Sequence, residues 1–488
     1  VYRQIIGYIP SVIVPAFVSM AMVFAYTRLL TPAALGSYTF VFSGVLVLQT
    51  SLFFALPITV MRFYPQAAVG GWQDRFLKQA YALFYALAGV TAMLGVAAGL
   101  LVHLPADYRW AAWLGLPLLL VRALVQLNQS VNRSTNRMGR YNLIEGLHAA
   151  LGFGLGLGAL FVLGHGPESI ILGLLVAAVV CAAVDFRLLG APFRPAAGAF
   201  RRQELRQLVD YAWPLVAAQA TEIVMQNADR FLLGSLVGAG ALGIYAVAYN
   251  LVDRPMTLIC LSITTTTFAL AMQVLERQGR EAARIQAGRN GIALLALALP
   301  ACVGLSLTAH NIATVLVGPA FRDGVAALIP IICFASLIRG VRAHFIDHAF
   351  HLSGKPLTML WSYGPATVLS ILLNLWAVPH YGMFGAAWVA VVCHGAAAAG
   401  CWYLANRQFP VWLPPGQVVR CLLAIVPMAA ALVLIPLPMD WLGLVGAVMM
   451  GGAIYGVSAV VLDVGKVRSI GQRALRRRLQ RKLPVLAG

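Results

Sequence analysis

Four arginines, Arg122, Arg254, Arg339 and Arg342, stand inside long apolar stretches where a charged side chain is costly. A guanidinium is permanently charged, planar and able to donate two parallel hydrogen bonds, so arginines held out of water suit a phosphate or diphosphate group. Arg122 and Arg339 occupy near-equivalent places in a pattern that recurs along the chain, and together could present cations to one shared cavity. Arg28 and Arg230, at matching ends of two other apolar runs, are read as entrance residues. Glu145, Glu222 and Asp253 also fall within apolar runs and are the candidates for ion coupling, with a proton or a sodium ion as the coupled species. Blander readings stand beside these. Asp253 and Arg254, followed by Pro255, could only neutralise a helix break, and Arg122 and Arg339 could snorkel to an interface.

Other patterns carry less. His344, His348 and His351 recur at helical spacing beside Asp347, a set that could hold a metal, but a helix end rich in amphipathic side chains explains it better. Gly152, Gly154, Gly156 and Gly158 look like a nucleotide loop on paper, yet no strand precedes them, and small residues four apart let membrane helices approach closely. Asn128-Gln129-Ser130 and Asn132-Arg133-Ser134 match glycosylation sequons but fall on the cytoplasmic side. Seven cysteines lie within apolar runs without paired spacing and read as small packing residues. No catalytic triad or zinc-protease pattern occurs. No catalytic residue, metal or cofactor is assigned, and a non-enzyme is expected.

The elements that must position these charges are membrane helices. Of 488 residues 60% are hydrophobic and 10% charged, where a soluble domain carries about 25% charge. Fourteen apolar runs are long enough to cross a bilayer: 5–26, 36–61, 79–102, 110–127, 142–163, 170–186, 211–226, 242–272, 292–309, 324–341, 356–378, 383–404, 418–437 and 442–462. The first is too long for a signal-peptide core and lacks a small-residue cleavage site, so it is taken as a helix. Lys and Arg divide 27 to 4 between alternate connections, which places both termini in the cytoplasm. The net charge of +19 is therefore topogenic and needs no nucleic acid. The tail, with Arg473, Arg476, Arg477, Arg478, Arg481 and Lys482, is expected to lie on anionic membrane lipid.

Within this array the sequence repeats. Ala34-Leu35-Gly36-Ser37-Tyr38 returns as Ala241-Leu242-Gly243-Ile244-Tyr245, Gly139-Arg140 as Gly354-Lys355, and Ala178-Val179-Val180-Cys181 as Ala390-Val391-Val392-Cys393. Three landmarks in one order at nearly one offset imply a duplicated six-helix unit, which inserts twice the same way up. The expected fold is all-α and polytopic, with two six-helix repeats about a pseudo-two-fold axis along the membrane normal and an added helix pair. The domains are then residues 1–200 and 201–410 as the two lobes, 411–465 as helices thirteen and fourteen, and 466–488 as a basic tail.

Thr27-Arg28-Leu29-Leu30-Thr31-Pro32 with Leu35-Gly36-Ser37-Tyr38 and Met61-Arg62-Phe63 resembles the opening of the polysaccharide transporter branch of the multidrug/oligosaccharidyl-lipid/polysaccharide flippase superfamily. Asp229-Arg230-Phe231-Leu232-Leu233-Gly234, Ser353-Gly354-Lys355 and Tyr381-Gly382-Met383-Phe384-Gly385-Ala386 resemble that family's later elements. The resemblance runs over about the first 410 residues, and the order of the motifs carries it. It implies a two-lobed transporter of 12–14 helices in the bacterial inner membrane. The substrate expected from it is a polyprenyl-diphosphate-linked oligosaccharide for O-antigen, capsule or exopolysaccharide, with membrane lipids and polysaccharide assembly proteins as further partners. A lipid II flippase, a small-molecule antiporter and a membrane-embedded polymerase or ligase are the other readings. An antiporter's cavity should be acidic, whereas arginine is in excess here. A polymerase usually needs a large periplasmic loop, and these connections are short.

Overall fold

The computed structural model describes residues 2–101, 106–164, 166–189, 202–466 and 468. The basic tail beyond Arg468, and Arg194 and Arg201 of the central connection, lie outside the described residues. What is described is helical throughout: α1 Tyr2–Leu29, α2 Pro32–Phe53, α3 Ala55–Val69, α4 Gln73–Leu101, α5 Ala106–Ser134, α6 Met138–Leu163, α7 Pro167–Leu189 and α8 Arg202–Leu236 come first. α9 Ala239–Leu307, α10 Ala309–Leu316, α11 Arg322–Val341, α12 His348–Leu352, α13 Leu360–Gln408, α14 Pro415–Leu434 and α15 Trp441–Val461 follow, and a π turn at Arg342–Ile346 joins α11 to α12.

Ten of the described helices are long and apolar enough to cross a membrane, and the outer surface agrees with that solvent. Val162, Leu442 and Leu434 are 82%, 79% and 76% exposed, a distribution that water would punish and hydrocarbon favours. The chain is a multi-pass membrane protein. At 69 residues α9 would run about 100 Å if straight, against an apolar thickness of about 30 Å. It does not run straight, because Gly279 adopts φ 82°, a left-handed conformation that ends the helix and lets a new one begin. Gly382, at φ 57°, breaks the 49-residue α13 in the same way. Local chemistry sets other boundaries. Thr31 accepts a hydrogen bond from the Ala34 amide at 3.2 Å with Pro32 in the first turn, and Asp440 accepts one from Gly443 at 2.7 Å at the start of α15.

Packing gathers the chain into two compact units, the first comprising Val1–Asn250, Pro319–Phe321 and Tyr363–Val389, the second Leu251–Gly318, Arg322–Ser362 and Ala390–Gly488. The first is centred on fully buried residues such as Val60, Tyr81 and Leu118. Within it the Thr367 hydroxyl donates to the Thr221 carbonyl at 3.3 Å, tying α13 to α8. In the second unit α14 and α15 pack Cys421, Ile425, Met428 and Tyr455 around Ile292 of α9, and Tyr455 donates to the Ala296 carbonyl at 2.5 Å. The added helix pair is thus anchored to the second part of α9.

The glycines show where backbones touch. A Cβ on Gly36 would strike the Ala239 carbonyl oxygen, and a Cβ on Gly243 would strike that of Pro32. These contacts are reciprocal, since Pro32 and Ala239 stand at the same offset as Gly36 and Gly243. The glycine stripe on α6 is two-sided. Gly152 and Gly156 are buried, and Gly156 meets α7 at Gly173, while Gly154 and Gly158 face open space. Gly36→Ala and Gly243→Ala are each expected to cost about 1–3 kcal/mol by overpacking, read as a lower unfolding temperature in detergent. Gly154→Ala is expected to be neutral or stabilising, by up to about 1 kcal/mol.

Candidate functional site

Arg122 and Arg339 are held in quite different ways. Arg122, partly buried on α5, donates from Nε to Gln49 Oε1 of α2 at 3.3 Å, and its guanidinium lies 5.3 Å from the ring centre of Phe42. Gln49 is itself fixed by donating to Gln126 Oε1 at 2.9 Å. Glu145 and His148 of α6 lie within electrostatic reach of Arg122. A cation held by a neutral amide and an aromatic face keeps its charge available to an incoming anion. Arg339 of α11 is instead ion-paired with Asp253 of α9, their side chains 17% and 25% exposed, and lies 3.4 Å from the Thr257 hydroxyl. The two arginines belong to different compact units, Arg122 to the first and Arg339 to the second.

Asp253 therefore turns away from its sequence neighbour. Arg254 is exposed, and against the alternative reading in which Asp253 and Arg254 only neutralise a helix break, Asp253 pairs with Arg339, 86 residues away. Successive helical residues point about 100° apart, so adjacent charges do not face each other. Arg342 is 1% exposed on the π turn, Asp347 just after that turn is also buried, and both lie within electrostatic reach of Cys401. Arg28 is exposed, donates to the Phe24 carbonyl at 2.9 Å and covers the Phe24 ring at 3.7 Å. Arg230 donates to Asn227 Oδ1 at 3.2 Å and lies 5.1 Å from the Tyr249 ring centre. These two arginines thus have different surroundings. Glu222 accepts from Gln226 one turn on, at 2.7 Å.

The three histidines are engaged locally. His344 Nδ1 lies 3.0 Å from the Thr264 hydroxyl, and Phe268 packs its ring against His348 and His351. The seven cysteines are buried packing residues.

Sequence reasoning passed over two arrangements. The first is an aromatic pair written twice: Tyr38 stacks on Phe42 with centres 5.6 Å apart, and Tyr245 lies against Tyr249 at 5.8 Å. Each pair carries an arginine over its second ring, Arg122 on Phe42 and Arg230 on Tyr249. Tyr245 also donates to the buried carboxylate of Asp229, which joins the two parts of the second-half motif. The second is a buried polar network. Tyr81 donates to Asn128 at 2.7 Å, and Asn132 donates to both Gln129 at 3.1 Å and Asp185 at 3.2 Å, with Asn128, Asn132 and Asp185 fully buried. Both sequon asparagines are thus committed to the core and closed to glycosylation. The signal was present, as Asn128 and Asn132 are one helical turn apart in apolar sequence.

Residues 110–326 match the protein family described as "Polysaccharide biosynthesis protein". No curated protein matches the sequence. Among solved structures, lipid II flippase MurJ in an inward closed conformation has a similar fold, with TM-score 0.75 at 12% identity over 95% of this chain and 99% of that one. An inward-facing multidrug resistance transporter of the MATE family is similar at TM-score 0.64 and 16% identity, over 83% of this chain and 94% of that one. A superfamily transporter from Pyrococcus furiosus, described as having a binding pocket of reverse polarity, is similar at TM-score 0.59 and 15% identity over the same shares, 83% and 94%. Residues 110–326 are thus similar to the polysaccharide biosynthesis protein family, and the chain has the fold seen in MurJ and in the MATE transporters.

Proposed function

We propose that this protein is a flippase that carries a polyprenyl-diphosphate-linked oligosaccharide from the cytoplasmic to the periplasmic leaflet of a bacterial inner membrane. The observation that carries the reading is the polysaccharide-biosynthesis match seated on a flippase-superfamily fold. The chemistry supports it. A sugar diphosphate cannot enter hydrocarbon unpaired, because burying a lone charge is very costly. Arginines such as Arg122 and Arg339 replace its hydration while the polyprenyl tail stays in lipid. Arg254, Arg342, Arg28 and Arg230 complete the binding set, and Glu222, Asp253 and Glu145 are the residues through which a proton or sodium ion couples.

In this reading the chain crosses the membrane fourteen times. The ten apolar helices, two of them broken at Gly279 and Gly382, support that number together with α1 and α8. The reciprocal contact of Gly36 and Gly243 and the duplicated aromatic pair support two six-helix lobes, 1–200 and 201–410, related by a pseudo-two-fold axis. Transport is then alternating access by rocking of the lobes. The likeness to MurJ favours lipid II as a second reading of the headgroup.

The substrate reading is tested by deleting the gene and measuring surface polysaccharide. Loss of the polymer with accumulation of its lipid-linked unit on the cytoplasmic leaflet is expected. Unchanged polymer together with blocked peptidoglycan precursor would assign the protein to lipid II. Orientation is tested by cysteine labelling. Arg202→Cys and Arg477→Cys are expected to react only from the cytoplasm and Asp107→Cys and Asp440→Cys only from the periplasm, and a periplasmic tail would overturn the assignment.

A further inference from the structure

The first compact unit holds an apolar cavity of about 330 Å³ between α3, α4 and α8, whose lining includes none of the arginines discussed above. Its walls include Leu56, Phe76, Leu83, Val209 and Trp213. The one hydroxyl among them, on Thr59, is spent on the carbonyls of Ala55 and Leu56, both at 2.9 Å, and the Trp213 indole N–H is the one other polar group on the lining side chains, so the walls are almost wholly apolar. Val209 and Trp213 are 50% and 61% exposed, so the cavity opens to the surface. A water's share of liquid is about 30 Å³, and a methylene takes a similar space. The cavity therefore suits on the order of ten methylenes, a stretch of one hydrocarbon chain.

One end of the cavity is charged. Arg62 stands one turn beyond Thr59, Arg75 and Lys78 bracket Phe76, and Arg206 precedes Leu208 by two residues. The acids in those turns are Asp74, Glu204 and Asp210, against Arg62, Arg75, Lys78, Arg202 and Arg206, and Arg206 lies 3.7 Å from Asp210 in an exposed pair. Positive charge is thus in excess. Aromatic contacts brace the same end: Phe63 meets Tyr211 edge-on at 5.4 Å, linking α3 to α8, and Trp72 meets Phe76 at 5.8 Å. Tryptophan and basic residues beside an apolar slot mark headgroup depth.

The geometry points to a binding site for one anionic phospholipid, with an acyl chain in the α3–α4–α8 cavity and its phosphate on the collar of Arg62, Arg75, Lys78 and Arg206. The site is independent of the proposed substrate and holds whichever glycan the protein carries. Charge complementarity selects the headgroup, and the apolar walls accept any acyl chain.

The test is native mass spectrometry of the full chain in detergent, titrated with phosphatidylglycerol, phosphatidylcholine or a polyprenyl phosphate. A first phosphatidylglycerol adduct at least tenfold tighter than that of phosphatidylcholine is expected. Arg62→Ala with Lys78→Ala is expected to abolish that preference at unchanged unfolding temperature. Ala217→Phe, which fills the cavity, is expected to weaken the first adduct, and Ala80→Leu serves if the phenylalanine variant fails to fold. Equal binding of both phospholipids, or a preference that survives the collar variant, overturns the site. So does a polyprenyl phosphate that binds through the collar where phosphatidylglycerol does not.

Discussion

Arg339→Ala is expected to destabilise the protein by about 3 kcal/mol, because it leaves Asp253 charged, largely buried and without its guanidinium partner. The cost arises from the orphaned carboxylate more than from the lost attraction, so a second substitution should reverse much of it. Asp253→Asn in the Arg339→Ala background is expected to recover over half of the loss, since a neutral amide is far cheaper to bury. Arg254→Ala is the control. Its side chain is exposed and takes no part in the pair, so a change within about 0.5 kcal/mol is expected. Thermal unfolding in detergent and membrane abundance read all three. A stable Arg339→Ala protein, or an Arg254→Ala protein as damaged as it, would show that Asp253 is neutralised by some other group.

Arg122→Ala is expected to reduce surface polysaccharide by tenfold to a hundredfold at normal membrane abundance. Hydrogen bonds to a charged group contribute about 1.5–3 kcal/mol, and 1.4 kcal/mol is a factor of ten. The loss should fall on transport, because Arg122 rests on a neutral amide and a ring, with Glu145 within electrostatic reach and, among the described residues, no carboxylate at ion-pair distance. Arg122→Lys is expected to recover part of the activity, keeping the charge but losing the planar fork. Gln49→Ala should cost less than Arg122→Ala, since it removes a positioning contact and leaves the cation. Wild-type polymer from Arg122→Ala at normal abundance, measured in a deletion strain, would remove the anionic headgroup from the argument.

The two arginines also show what the sequence could convey. Helices were legible because hydrocarbon demands some 20 apolar residues per crossing, and ten described helices are long and apolar enough to cross a membrane. Pairing was not legible. Asp253 and Arg254 are adjacent on paper, but a helix sends them in different directions and tertiary packing brings Arg339 instead. The polar network of Asn128, Asn132 and Asp185 was hidden by another cause, as its asparagines fit a sequon and its carboxylate sits near the end of an apolar run. Aromatics such as Tyr38 and Phe42 blend into a membrane composition, so their roles emerge only with coordinates.

The crossing at Gly36 and Gly243 bears on how such a chain could arise. Its contacts are mutual, each glycine admitting the carbonyl four residues before the other. If the two proposed repeats descend from one undivided ancestor, a single glycine there would have met its own copy in a second molecule. Any mutation there would have struck the joint twice. Joining the genes separates the two events, so one side can change while the other holds, and Ser37 facing Ile244 in the aligned motifs is a difference of that kind. Asymmetry of this sort is open to a fused chain and closed to a homodimer, and the proposed carrier, whose cargo would have a sugar at one end and a lipid at the other, can use it.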